Sequence, residues 1–262
     1  MDKETPKEST KLIETVDKAL DILECFLDSG PELTLKELSE MTGLYKSRIL
    51  RICGTLMAHG VLIRLQRSTY RLGPKLMSLG KAYERSNTLL SLARPDLREL
   101  AALTGESTSL FVIDGTKRMC LVREEGSSPI RYSITEGERL ELHAGAGGKA
   151  LLAFTSEKIR NRLLSGKALN KLTPATIVSR ESLEEELETI RKNGYAISKG
   201  ERTSEAASMA APVYDHSNRV CAVITIAGPI QRFSNDHCRE MLTHLLASAK
   251  KLSFLLGQKG TG

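Results

Sequence analysis

The chain has 262 residues, of which 40% are hydrophobic and 27% are charged, and its formal net charge is +6. This length predicts two domains. No apolar run approaches the roughly 18 residues that a membrane-spanning helix needs, and the charged start MDKETPKEST does not resemble a secretory signal. These features argue against a membrane protein and predict a protein of the cytoplasm.

The first predicted element is a helix over residues 13–28, which follows a polar start. Its apolar residues recur at helical spacing, and this indicates one buried face. The residues that share this spacing are Val16, Ala19, Leu20, Leu23 and Leu27. Ser29-Gly30-Pro31 ends the helix, because glycine and proline cannot continue it at low cost.

Residues 33–72 carry the pattern of two short helices followed by a hairpin. The apolar residues of the first helix are Leu35, Leu38 and Met41, and those of the second are Ile49, Ile52 and Leu56. Gly43 separates the helices, since glycine accepts the positive φ of a sharp turn. Val61, Ile63 and Leu65 alternate with Leu62, Arg64 and Gln66, and residues 69–72 return as a second strand. This combination predicts a winged helix-turn-helix.

The charge of this region is one-sided. No Asp or Glu lies between Met41 and Tyr83, whereas acids outnumber bases eleven to five over residues 1–40. The bases of the acid-free stretch are Lys46, Arg48, Arg51, Arg64, Arg67, Arg71, Lys75 and Lys81. A solvated basic face is the simpler explanation for one cluster. Here the bases fall on the second helix and the wing, so they predict a surface that binds DNA.

A further helix is predicted from Pro74 to about Ser91, because proline suits the first turn of a helix. This helix either packs on its own domain or pairs with a second chain. The domain boundary is expected near Ser86-Asn87. The predicted organisation is a winged helix-turn-helix at 1–73, a linker helix at 74–88 and a second domain at 89–262.

The second domain alternates helical and strand patterns, which predicts an α+β fold with a mostly antiparallel sheet flanked by helices. Strands are predicted at 109–113, 118–123, 130–135, 210–214 and 220–226. Helices are predicted through Leu92 and Leu103, after the glycine-rich stretch at 143–150, at 181–192 and at 235–256.

The glycine-rich stretch His143–Ala150 does not match a nucleotide-binding loop. A Walker loop needs Ser or Thr after its lysine, but Ala150 follows Lys149 here. A dinucleotide fold needs an acid about twenty residues further on, where Asn170 and Lys171 stand. Small residues at the start of a helix still allow a small anion, such as a carboxylate, to approach free N–H groups. Close packing of this helix on the sheet explains the glycines equally well.

No residue pattern predicts an enzyme, a cofactor or a metal site. The sequence has no HExxH motif, no GxSxG elbow, no zinc spacing and no obvious carboxylate pair. The five cysteines are scattered and never form a CxxC pair, which predicts buried thiols in a reducing compartment. Ser208 and Thr225 border apolar strands, where a hydroxyl group needs a partner, so both are candidate ligand contacts.

The chain resembles the IclR-type bacterial transcriptional regulators along nearly its full length. The segments that carry the resemblance are TVDKALDILECF, LKELSEMTGLYKSRILRICGTL, YRLGPKLMSLG, LHAGAGGKALLAF and GYAISKGERTSEAASMAAPVYD leading to AVITIAGPIQRFS. The resemblance implies an N-terminal winged helix, a linker helix and a C-terminal effector-binding domain. It also implies a homodimer or homotetramer on a palindromic DNA operator, and a small organic acid as effector.

The resemblance places the second helix of the helix-turn-helix in the major groove. The DNA-binding residues it implies, together with the basic wing, are Tyr45, Lys46, Ser47, Arg48, Arg51, Arg64 and Arg67. Tyr45 stands where the family usually has Pro, and Arg48 where Thr is common. Arg48 is expected to read guanine, whereas Arg64 and Arg67 are expected to hold phosphates.

The resemblance also implies a ligand pocket in the second domain. Its positions fall on Tyr132, Leu140, Ala146, Gly147, Ser198, Ser208 and Thr225. The family often has an acid in place of Ser198, a cysteine in place of Ser208 and a serine in place of Ala227. Loss of the acid removes a repulsion against carboxylates, so the ligand is expected to differ from those of the best-known members.

The sequence therefore predicts a ligand-responsive DNA-binding regulator. Two other classes stay open at this level. One is an enzyme domain tethered to a winged helix, and the other is an architectural DNA binder without a ligand.

Overall fold

The computed structural model of the protein describes residues 12–128, 134–165 and 169–258. The chain divides into two compact units, Met1–Ser86 and Asn87–Gly262. The first unit holds the winged helix-turn-helix and the second is an α+β domain, as the sequence predicts. The finer division into a domain at 1–73 and a linker helix at 74–88 stays a prediction. No helix within the described ranges is long and apolar enough to cross a membrane.

The described part of the first unit contains four helices and three short strands. They are α1 Glu14–Asp28, β1 Glu32–Thr34, α2 Leu35–Thr42, α3 Lys46–Ala58, β2 Leu62–Arg64, β3 Thr69–Leu72 and α4 Lys75–Ser86. The strands form an antiparallel sheet in the order β1-β3-β2. Strand β1 is absent from the sequence prediction because only three residues form it, and Leu33 pairs there with Tyr70.

The turn between α2 and α3 forms as predicted. Gly43 has a φ of 69° at the end of α2, and its N–H donates to the carbonyl of Ser39. At the other end of α2, the Thr34 side chain accepts from the N–H of Glu37 while the Glu37 carboxylate accepts from Thr34. This capping box satisfies the first N–H groups of the helix, so both ends of α2 are fixed and the direction of α3 is set.

The apolar stripe predicted for α1 is split in the described structure, because Ala19 and Leu23 pack against the core whereas its three other members face solvent. Val16, Leu20 and Leu27 are 53%, 54% and 54% exposed. The buried core of this unit also contains Ile22 and Phe26 from the neighbouring side of α1, which the prediction did not include. The apolar surface of α1 is therefore wider than its buried face, and the sequence periodicity cannot tell which part of that surface is buried.

The predicted helix from Pro74 to Ser91 is interrupted. α4 ends at Ser86, and a second helix begins after Asn87. The side chain of Asn87 accepts from the N–H of Leu90, which makes Asn87 the N-cap of the new helix. α4 itself has no buried residue, so it does not pack on the core of the first unit.

The described part of the second unit contains five helices and six strands. They are α5 Thr88–Thr104, β4 Ser107–Asp114, β5 Lys117–Glu124, β6 Arg139–Glu141, α6 Ala146–Phe154, α7 Glu157–Leu164, α8 Arg180–Asn193, β7 Ala196–Lys199, β8 Ala206–Tyr214, β9 Val220–Pro229 and α9 Asn235–Leu255. The predicted strand at 130–135 falls mostly on residues outside the described ranges, and Ile134 and Thr135 are not in a strand. The sequence prediction did not include β6, α7 or β7.

One antiparallel sheet organises the second unit, with the strand order β6-β5-β4-β9-β8-β7. One core cluster joins α5 and α9 to one face of this sheet, and a second cluster joins α6 and α8 to the other. Because side chains alternate along a strand, neighbouring residues of β9 serve different clusters. Val223 packs with α6, whereas Ile224 packs with α5 and α9. The sheet is therefore covered on both faces.

Candidate DNA interface and ligand cavity

The α3 helix presents its predicted contact residues to solvent. Tyr45, at its N-cap, is 86% exposed. Lys46, Ser47 and Arg51 are also exposed, and Arg48 is half-buried. Opposite them, Ile49, Ile52 and Cys53 lie in the core of the first unit. The helix is thus held by one face and displays a basic face on the other.

The beginning of α3 favours an anion. Tyr45 makes no side-chain cap, and the first turn holds no acid. Lys46 stands at the positive end of the helix dipole, where a basic residue is unfavourable in the free protein. The free N–H groups of such an end bind phosphate. On the wing, Arg64 is exposed and donates to the hydroxyl of Ser68, while the side chain of Arg67 lies outside the described part of the structure.

Arg48 has an acidic partner within the same unit. Its Nη1 lies 2.9 Å from Oε1 of Glu14 at the start of α1, and the two side chains are 38% and 71% exposed. Exposed ion pairs of this kind contribute about 0.2–1 kcal/mol to stability. Arg48 can therefore leave Glu14 for a nucleic acid at small cost.

In the second unit, three predicted ligand positions come together on one face of the sheet. Ser198 is opposite Ser208 between β7 and β8, and the carbonyl of Ser109 on β4 accepts from the hydroxyl of Thr225 at 3.4 Å. The hydroxyl of Ser208 accepts from the N–H of Ala146 at 3.2 Å. These bonds give partners to Ser208 and Thr225 and tie the first residue of α6 to the sheet.

The start of α6 approaches the sheet so closely that Gly147 has no room for a side chain. A Cβ atom there would lie 2.9 Å from Cγ2 of Thr225 and 3.1 Å from Nη1 of Arg118. The close packing expected from the glycines is therefore present. It also brings the helix N-terminus to the edge of a cavity, so the packing and ligand explanations do not exclude each other.

The cavity lies between the start of α6 and the sheet. The volume not filled by protein atoms is about 520 Å³, which includes space open to solvent. Four predicted ligand residues line it, namely Gly147, Ser198, Ser208 and Thr225. Leu140 and Ala146 do not line it, although Leu140 pairs with Arg118 across β6 and β5. Tyr132 lies outside the described residues. The roles of all seven in ligand binding stay predictions.

Several residues line the cavity without having been named from the sequence. The larger and charged ones are Phe111, Arg118, Ile134, Glu201 and Arg202. Arg118 could have been recognised, because it alternates with the buried Cys120 along β5 and therefore points inward. Glu201 and Arg202 follow β7, a strand that the sequence analysis missed.

A buried ion network fixes the rim of this cavity. Lys149 on α6 is 1% exposed, and its Nζ donates at 2.6 Å to both Glu186 on α8 and Glu201. The other carboxylate oxygen of Glu201 accepts from the N–H of Gly145 at 3.0 Å. Because Glu201 is bound to both the side chain and the backbone of α6, the loop after β7 is held against the helix start.

No group of His, Cys, Asp and Glu side chains in the described ranges is arranged to hold a metal ion. None of the five cysteines forms a disulfide bond, and Cys25, Cys53 and Cys120 are buried. Burial raises the pKa of the Cys53 and Cys120 thiols to about 11, so at neutral pH both are protonated and unreactive.

The close approach at Gly147 can be tested by adding one methyl group. We expect Gly147→Ala to destabilise the second unit by about 1–3 kcal/mol, because the new Cβ must displace the methyl group of Thr225. Urea unfolding of the full chain measures this change. Thr225→Ser removes that methyl, so the double variant should recover much of the loss. Equal stability of wild type and Gly147→Ala would contradict the packing described above.

Comparison with known proteins identifies both units. The family model described as IclR helix-turn-helix domain matches residues 15–65, and the model described as Bacterial transcriptional regulator IclR C-terminal matches residues 81–254. The chain is 34% identical to the HTH-type transcriptional regulator XynR of Escherichia coli over 94% of this chain and 98% of that protein. The curated relatives are named as transcriptional regulators and repressors rather than enzymes.

Solved structures agree with this assignment. An IclR transcriptional regulator from Silicibacter matches with a TM-score of 0.86 and 29% identity over 94% of this chain and 97% of that one. An IclR homolog from Microbacterium hydrocarbonoxydans, complexed with 4-hydroxybenzoate, shares the fold with a TM-score of 0.77 and 23% identity over 92% and 98%. The chain therefore belongs to the IclR family of bacterial transcriptional regulators, with a DNA-binding helix-turn-helix and a C-terminal effector domain.

Proposed function

We propose that this regulator binds a palindromic operator as a homo-oligomer and that a small organic acid in the cavity of the second unit controls the binding. The single observation that supports the DNA-binding part most strongly is the α3 helix, which has a buried apolar face, an exposed basic face and an N-terminus without acid or cap. The DNA contacts we propose are Tyr45, Lys46, Ser47, Arg48, Arg51, Arg64 and Arg67.

Each of these residues has a proposed task. Arg48 and Arg51 face the major groove, where an arginine can donate two hydrogen bonds to guanine. Lys46 and the free N–H groups at the start of α3 bind phosphate. Arg64 and Arg67 of the wing bind the backbone beside the groove, which fixes the position of α3 without reading the sequence.

Unpartnered apolar surface supports an oligomer. Val16, Leu20 and Leu27 lie along one side of α1 and are more than half exposed, and Met77 on α4 is 71% exposed. Exposed apolar stripes of this kind mark interaction surfaces. A second copy of the chain is the occupant we propose, because a two-fold dimer presents the same surface twice and would place two α3 helices on the two halves of a palindrome.

The cavity supports an acidic effector. It combines hydroxyl groups with the N-terminus of α6, where an anion is favoured. A solved homologue of the same fold holds 4-hydroxybenzoate, which is an organic acid. The proposed contacts are Tyr132, Leu140, Ala146, Gly147, Ser198, Ser208 and Thr225. The effector would act by binding one arrangement of the regulator better than another.

Removal of two charges from α3 tests the DNA-binding surface. We expect Arg48→Gln with Arg51→Gln to weaken binding by about tenfold or more, because both phosphate attraction and base reading are lost. The measurement is a mobility shift with a duplex selected from a random library by the wild-type chain. The matched control, Lys158→Gln with Lys192→Gln, removes the same charge from exposed positions of the second unit and should bind normally. Unchanged affinity of the α3 variant would refute the assignment.

The pair between Arg48 and Glu14 gives a second prediction for this surface. We expect Glu14→Gln to tighten DNA binding about two- to fivefold, because Arg48 no longer has to leave a carboxylate. Fluorescence anisotropy at fixed ionic strength measures this change. Glu24→Gln makes the same charge change at another exposed position of α1. If both variants gain equally, net charge alone accounts for the effect and the pair has no part in it.

The oligomer is tested through the exposed side of α1. We expect the double variant Val16→Glu with Leu20→Glu to lose the preference for binding a full palindrome over a half-site. The added charges of the two copies repel each other and separate their DNA-binding units. Sedimentation and DNA titration measure assembly and preference. Leu103→Glu changes a similarly exposed leucine of the second unit and serves as control. A double variant that keeps the wild-type preference would remove α1 from the interface.

A further inference from the structure

Arg118 is a buried cation to which the described residues supply no counter-ion. Its side chain is 4% exposed, and its guanidinium carbon lies 4.9 Å from the centre of the Phe111 ring. Within the described ranges its Nε has no hydrogen-bond partner, and no carboxylate there forms an ion pair with it. The stretches of the second unit outside the described ranges, 129–133, 166–168 and 259–262, contain no Asp or Glu. An ionised group buried in this way is costly unless something pairs with it.

The cavity that Arg118 lines has an excess of positive charge. Arg202 also lines it, and its pKa is lowered by burial and raised by the nearby charge of Glu138, although no described acid forms an ion pair with it. Among the described residues, Glu201 is the one acid on the cavity wall, but Lys149 and the N–H of Gly145 already bind its two oxygens. Burial, and after it the nearby Arg202, lower the pKa of Arg118 to about 9, which leaves Arg118 charged at neutral pH.

The guanidinium of Arg118 lies against the first turn of α6. Its Nη2 is 3.2 Å from the position that a Cβ atom would take at Gly145, and its Nη1 is 3.1 Å from the same position at Gly147. Within an α-helix the first N–H groups have no acceptor of their own, and those of Gly147 and Gly148 belong to this turn. A planar cation and free backbone donors therefore meet at one point, and both suit the two oxygens of a carboxylate.

We propose that Arg118 is the residue that makes a carboxylate obligatory in the effector. It binds the acid group of the ligand against the first turn of α6, and Arg202 adds a second positive charge on the same side. This inference rests on the proposed role of the cavity as the effector site. The ligand neutralises a charge that the described residues leave without a counter-ion, so a neutral amide or ester of the ligand gains nothing at this site.

The first test needs no knowledge of the natural ligand, since the probe is sodium acetate, the simplest carboxylate of suitable size. We expect acetate to raise the Tm of the full chain by about 2 °C or more, at constant ionic strength, while acetamide leaves it unchanged. In Arg118→Met the apolar stem still covers Phe111 but the charge is gone. This variant should lose the acetate response and should be at least as stable as wild type without acetate.

The matched control is Arg160→Met, since Arg160 is a largely buried arginine of the same unit that has its carboxylate, with Nε 3.1 Å from Glu184. Arg160→Met should lower the Tm and keep the acetate response. A lower Tm of Arg118→Met without acetate, or a wild-type acetate response in that variant, would overturn the proposal, because Arg118 would then be structural.

A DNA-release assay separates this inference from the proposed function. Organic acids that release wild-type protein from its selected duplex, but not Arg118→Met, support both. Equal release of wild type and variant overturns the role of Arg118 and leaves acid sensing intact. If no acid in a panel of acetate, succinate and benzoate changes either the Tm or the DNA binding of the wild-type chain, acid sensing itself is wrong and the inference falls with it.

Discussion

The second unit depends on the ion pairs that the buried ammonium group of Lys149 makes. This group joins α6 to α8 through Glu186 and to the loop after β7 through Glu201. Removal of one member of such a network leaves an uncompensated charge in the interior, which is strongly destabilising. The same contacts hold the N-terminus of α6 above the sheet, and the cavity exists because of that position. Stability and the binding site therefore share one set of side chains.

The α6 helix could approach the sheet only with small residues at its start. A methyl group added at Gly147 would contact Thr225 and Arg118. One added at Gly148 would contact the carbonyl oxygen of Leu142. The sequence contains these glycines, but it does not distinguish close packing from ligand binding as the reason for them. In this fold both explanations hold, since the packing is what exposes the helix N-terminus to the cavity.

Periodicity predicted the helix-turn-helix, the wing and most helices of the second unit, because these elements repeat a clear apolar spacing. It failed where the deciding contact is distant in sequence. The outward side of α1 is as apolar as its inward side, so Val16 and Leu20 seemed to belong to the core. The strand at Ala196–Lys199 is four residues long and is recognised only through its pairing with β8. Arg118 was missed for a different reason, since its strand was predicted but a charged residue at an inward position departs from the expected apolar pattern.

The two basic surfaces of the molecule differ in a physically meaningful way. The α3 surface is exposed, so salt screens it and its ion pair with Glu14 is exchangeable. The guanidinium at the start of α6 is enclosed, and screening there is weak. Ionic strength should therefore act mainly on the nucleic acid contacts, whereas the enclosed charge responds to the identity of the anion that enters.

The α4 helix has twelve residues and no buried side chain. A helix of that length is only marginally stable in water by itself. It must therefore be stabilised by contacts with a partner that covers it. If a second copy covers it, folding of this helix is coupled to assembly of the two copies. Dilution would then separate the copies and unfold the helix. Hydrogen exchange along residues 75–86 would then depend on protein concentration, which makes this short stretch a direct reporter of assembly.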